Sequence, residues 1–242
     1  MLAHIVANKS PLGKGASQPS MLESIRTNLV SATAPKDEAA STNNPARSRV
    51  WQLHSDEASA YVKLGQHRKA RQKLRLALRE ALHFGEMDTR LAVTYLNLIA
   101  CEVELNDAEL SSEAALQLAE NATRVHKTCH GESSEPTASC LINAGVLLER
   151  SQNFHRASEA LAQAIAILRA QEQTRRIRTL LCNSLYNRAA LLWSCDQLNP
   201  HPAEVFALAD EAYRIGQSIY GSQDRLVITM KQLRDDIAAA CK

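Results

Sequence analysis

Helix-breaking residues are scarce in this chain. Eight glycines and seven prolines occur in 242 residues, and six of those fifteen fall within the first 45. The remainder is therefore free to form long helices. Aromatic residues make up 4 % of the chain, which argues against aromatic platforms for stacking bases. No apolar run approaches the length of a membrane span. A net charge of +2 gives no general attraction to nucleic acid or to an anionic membrane. Six cysteines, Cys101, Cys129, Cys140, Cys182, Cys195 and Cys241, form no CxxC or Cys/His cluster and read as small buried hydrophobes of a reducing compartment. His126, Cys129 and His130 come nearest to a metal set, and no fourth ligand is evident. GxGxxG, P-loop, HExxH and GxSxG motifs are all missing, and the eight histidines are scattered. Nothing here indicates an enzyme, a cofactor, a metal or a small-molecule ligand.

What is present is a repeat. From Ala138 to Leu168 two amphipathic helices stand back to back: Leu141, Ala144, Gly145 and Leu148, then a polar corner Ser151-Gln152-Asn153, then Ala157, Leu161, Ala164, Ile165 and Leu168. Gly145, Leu148, Phe154, Ala157, Leu161, Ala164 and Ile165 map, 87 residues earlier, onto Ala58, Tyr61, His67, Ala70, Leu74, Ala77 and Leu78. Leu96, Asn97, Ala100, Val103, Ala119, Ala122 and Gly131 map, 90 residues later, onto Tyr186, Asn187, Ala190, Trp193, Ala209, Ala212 and Gly221. The spacings Ala100 to Ala115 and Ala190 to Val205 share a three-residue insertion. Gly85, Gly131 and Gly221 each close a second helix. The sequence thus predicts four helix-turn-helix repeats of roughly 45 residues over 50–221, each needing its neighbours to bury its apolar face.

The alternation Ala58-x2-Tyr61-x3-Gly65-x4-Ala70-x3-Leu74-x2-Ala77 resembles the tetratricopeptide repeat family. So does Gly145-x2-Leu148 with Phe154-x2-Ala157-x3-Leu161-x2-Ala164. Asn97, Asn143 and Asn187, with the linkers Gly85-Glu86 and Gly131-Glu132, resemble more narrowly the longer repeats of kinesin light chain type. The third repeat departs by lacking the linker glycine. The resemblance implies an all-α, right-handed superhelical solenoid of about four repeats, whose first helices line a concave inner face. A last helix, Asp224 to Ala240, carries Leu226, Val227, Met230, Leu233 and Ile237 on one face and is expected to cap the stack.

Residues 1–46 are rich in Ser, Ala, Thr, Asn and Pro and are expected to be disordered; residues 47–242 form the repeat domain. Within the first segment Met21–Val30 places Leu22, Ile25 and Leu29 for one short amphipathic helix. Lys9, Lys14 and Arg26 before and after a late first acid, Glu23, permit a mitochondrial presequence. Helical order is expected to begin near Arg49, with Trp51 at the exposed end of the stack.

Two surfaces are candidates for function. The concave face is expected to carry Asn97, Glu104, Asn143, Glu149, Arg150, Asn187 and Arg188. An Asn amide both donates and accepts, so a ladder of them suits the backbone of an extended peptide; the alternative is that they bond adjacent helices. The second helix of the first repeat presents a convex basic patch of Arg68, Lys69, Arg71, Lys73, Arg75 and Arg79. That patch reads either as a grip on phosphate or an acidic protein, or as a solvated outer face. The expected role is a non-enzymatic cytoplasmic adaptor or scaffold that holds a peptide or partner helix in the concave groove. The rival is a structural subunit of a cytoskeletal, ciliary or mitochondrial assembly that docks through the convex basic helix. An RNA-associated role has less in its favour.

Overall fold

In a computed structural model, residues 44–105, 110–198 and 200–240 are described. Among them every regular element is helical, and there is no strand. The contacts divide the chain into two compact bodies, which contain the described residues 44–153 and 154–240 respectively. The reading of 1–46 as disordered, and of Met21–Val30 as a short helix, lies outside the described residues except at Asn44–Ala46.

The first body holds α1 (Pro45–Lys63), α2 (His67–Ala81), α3 (Thr89–Leu105), α4 (Ser112–His130) and α5 (Glu135–Arg150). Its helix starts carry local signals. Asn44 accepts from the Ala46 amide at 3.0 Å with Pro45 in the first turn, so order begins earlier than Arg49. Ser111 and Ser134 accept from the third residue beyond each, at 3.2 and 3.3 Å. Trp51 is not at an exposed end: it is enclosed, and its indole N–H donates to Thr94 Oγ1 at 2.9 Å. In α2 and α4 the inward stripe is mostly small, Ala70, Ala77 and Ala81, then Ala115, Ala119 and Ala122, all buried. Larger side chains from α3 and α5 fill the space opposite, among them the fully buried Leu91, Ile99 and Ile142. Each contributes about 1.5–3 kcal/mol by leaving water.

The second body holds α6 (Phe154–Arg169), α7 (Arg175–Ser194), a 3-10 turn (Asp196–Leu198), α8 (Pro202–Tyr220) and α9 (Arg225–Ala240). Thr174 caps α7 and His201 caps α8, the imidazole Nδ1 accepting from Ala203 at 3.3 Å. α9 turns Val227, Met230, Leu233 and Ile237 inward against α8 and α7. Gly216 of α8 makes that approach possible. A Cβ there would lie 2.9 Å from Met230 Sδ and 3.3 Å from Cys182 Sγ.

The repeat register holds at the level of single hydrogen bonds. At the first corner the amides of Leu64, Gly65 and Gln66 donate to the carbonyls of Ala60, Val62 and Tyr61. Each bond recurs 87 residues later, from Ser151, Gln152 and Asn153 to Leu147, Glu149 and Leu148. Gly65 has φ +68°, and Gln152 adopts the same left-handed conformation at φ +65°. Between repeats, Gly131 donates to Lys127 and Ser134 to Gly131, and 90 residues later Gly221 donates to Gln217 and Asp224 to Gly221. The insertion falls in the corners. Three residues, 64–66 and 151–153, separate the helices of the first and third repeats. Six, 106–111, and seven, 195–201, separate those of the second and fourth.

Candidate functional site

One stripe on each of two first helices is matched position for position. On α3 the stripe is Val93, Asn97, Ala100 and Glu104; 46 residues on, α5 presents Ser139, Asn143, Val146 and Arg150. Both helices lie in the first body and pack on each other. The Arg150 guanidinium crosses from α5 to donate to the Val103 carbonyl of α3, with Glu104 and Glu149 close enough to act on it electrostatically. Burial lowers its pKa, and those two carboxylates oppose the shift. Burial also pushes the Glu149 carboxyl up to about 7, against the pull of Arg150. The Glu149 residue keeps some exposure, but its Oε2 is enclosed without a hydrogen-bond partner among the described residues.

These stripes are enclosed rather than open to solvent. Asn97 is 5 % exposed and Asn143 0 %, and every residue from Thr137 to Leu148 is buried. Neither amide atom of Asn143, nor Ser139 Oγ, has a hydrogen-bond partner among the described residues. A buried polar group left in that state costs about 1–3 kcal/mol, so these atoms are the strongest unmet chemical demand in the first body.

In the second body α7 repeats the arrangement with Asn183, Asn187 and Ala190. Asn187 is 1 % exposed, and neither of its amide atoms has a partner among the described residues. Arg188 turns away from that stripe and pairs with Glu204 of α8 at 3.0 Å. The pair borders a shallow cleft of about 390 Å³, lined also by His155, Glu159, Leu192, Pro200 and His201. The cleft mixes both charge signs.

The basic helix α2 divides in two. Arg68, Lys69, Arg75 and Arg79 are exposed, Lys69 resting 5.5 Å from the Tyr61 ring. Lys73 pairs with Glu57 at 2.7 Å. Arg71 is not part of a solvated face: it is buried, 3.4 Å from Glu102 of α3, whose other oxygen lies 3.3 Å from Arg75.

Several buried polar groups went unread in the sequence. Ser139 and Asn183 each stand four residues before a stripe Asn, a repeated i, i+4 polar pair that was available as a signal. Glu102 was not, since its partner Arg71 lies 31 residues away. Among the described residues no group of His, Cys, Asp or Glu is placed to hold a metal ion. No helix among them is long and apolar enough to cross a membrane. No protein-family model matches the chain, and no curated protein matches it.

Proposed function

We propose that the chain is a repeat protein of tetratricopeptide type that acts as a non-enzymatic adaptor or scaffold. It holds an extended peptide or partner helix on the inner stripe of α3 and α5. The observation carrying this reading is Asn143, an enclosed amide with unmet donor and acceptor capacity beside the matched Asn97. A peptide backbone supplies the complement of both groups whatever its side chains. Glu104 and Arg150 add one charge of each sign, which suits a partner of mixed charge.

The test is capture by the intact chain followed by affinity measurements on the captured partner. Each of Asn97→Ala and Asn143→Ala is expected to cost about 0.5–1.5 kcal/mol of binding, and the two together about fivefold or more in Kd. Asn143→Ala should leave the melting temperature unlowered. Binding should change little between low and moderate salt. A second reading, docking of an acidic partner on α2, has the exposed Arg68, Lys69 and Arg79 in its favour. It predicts the reverse: loss of binding in R68E/K69E/R79E and a steep fall with salt. That result, with the Asn variants binding normally, refutes the inner-stripe reading.

A further inference from the structure

We propose that the cleft bounded by α6, α7 and the start of α8 is a second interaction site, which seats one arginine side chain of a partner protein. It lies wholly within the second body and does not depend on the inner-stripe reading. The longer corner of the fourth repeat builds one of its walls. Residues 195–201 stand where the first and third repeats have three, and they contribute Leu198, Pro200 and His201 to the lining. The cleft measures about 390 Å³, at the lower end of the roughly 300–1,000 Å³ that small-ligand pockets span. That space suits a single long side chain. Arginine is among the residues that most often anchor an interface by filling a pocket.

The charged lining decides the sign of the ligand. Glu159 of α6 and Glu204 in the first turn of α8 border the cleft with side chains 59 % and 50 % exposed. Each meets one guanidinium, Glu159 that of Arg156 at 3.3 Å and Glu204 that of Arg188 at 3.0 Å. A carboxylate has room for about four hydrogen bonds, so both keep accepting capacity. An acidic ligand fares worse. Arg188 is the only lysine or arginine among the described lining residues, it is engaged with Glu204, and its Nε is enclosed. A ligand carboxylate would meet two charges of its own sign there. The apolar lining decides the ligand's length. Ala162, Leu192, Leu198 and Pro200 offer surface for a methylene stem, along which a long cationic side chain lies while its head stays near water. A guanidinium is a planar fork of N–H donors and can serve two carboxylates at once, whereas an ammonium is a compact point charge. The cleft therefore favours arginine over lysine.

The test titrates the isotope-labelled full chain with blocked pentapeptides that differ only in a central arginine, lysine, citrulline or glutamate, followed by amide NMR. The arginine peptide is expected to move the amides of 155–162, 188–192 and 200–204. It should bind about fivefold or more tighter than the citrulline peptide, which keeps the shape and loses the charge. Glu159→Gln should weaken arginine binding about threefold, and E159Q/E204Q should bring it to the citrulline level. Ala162→Leu, which fills the apolar wall and leaves both carboxylates, should weaken it as well. Glu172→Gln, outside the cleft, and Asn143→Ala should change nothing. E204Q also releases Arg188, so if the double variant loses helicity the Glu159→Gln result decides. Equal or tighter binding of the lysine, citrulline or glutamate peptide overturns the proposal. So does arginine binding that Glu159→Gln leaves unchanged, or a response centred on α3 and α5. Because Asn143 takes no part in this cleft, such a failure leaves the inner-stripe reading standing, and failure of that reading leaves this one.

Discussion

Glu102 gives the sharpest test of how the first body is held together. Its side chain is 2 % exposed and is shared by Arg71, itself 8 % exposed, and Arg75, which stands largely in water. Taking a carboxylate and a guanidinium out of water costs several kcal/mol per ion, and their attraction offsets this only while both are present. Glu102→Leu strips Arg71 of its carboxylate inside the protein and is expected to cost about 3–5 kcal/mol. Arg71→Met leaves Glu102 its ion pair with Arg75, so its cost should be smaller, about 2 kcal/mol. The double variant replaces the pair with apolar groups of similar volume. It should recover most of the loss, giving a coupling of at least about 2 kcal/mol. The measurement is urea unfolding of the four full-length proteins at constant ionic strength, with attention to a second transition because two bodies are present. Additive losses, or single variants each costing under about 1 kcal/mol, would refute the reasoning and return Arg71 to the solvated face that its neighbours Arg68 and Lys69 occupy.

Gln152→Gly should raise stability by about 1 kcal/mol, because a side chain at φ +65° is strained where Gly65 is not; Gly65→Gln should lower it by a similar amount, both read as shifts in melting temperature. Burial raises Glu149 from 4.5 to about 7, so the folded chain holds that proton more tightly than the unfolded one. Its stabilisation is complete below about pH 4.5 and is lost as pH rises towards 7. Glu149→Gln should therefore match the parent at pH 4 and exceed it by about 3 kcal/mol at pH 8, whereas equal stability at both pH values would place the carboxyl in water.

The repeat was legible because it is written in residue size and turn chemistry. Ala58 and Ala70 are enclosed and Gly131 and Gly221 hold a left-handed backbone, and those demands act through near neighbours. The corner hydrogen bonds recur at the 87-residue offset because that periodicity already encodes them. The site was less legible. Asn97, Asn143 and Asn187 recur at the repeat period, but their enclosure depends on groups brought together across the fold, and periodicity does not report on those. Arg71 was assigned to the surface with its basic neighbours, although it lies one residue from Ala70 and three from Leu74 on the buried edge of α2. The carboxylate that makes its burial tolerable stands on another helix.

Gly216 has a meaning beyond its own turn of helix. Ninety residues earlier its place is taken by His126, the place of Cys182 by Ala92, and that of Met230 by the fully buried Cys140. One repeat thus fills the junction of three helices as small, large, small. The other fills it as medium, empty, large. The two solutions have comparable total volume but opposite distributions, so the repeats are not interchangeable parts. Grafting α8 in place of α4 would set a hole against Ala92 and Cys140, and the reverse exchange would drive an imidazole into Met230. Any recombination of these repeats, by evolution or by design, has to carry all three positions as one inherited unit.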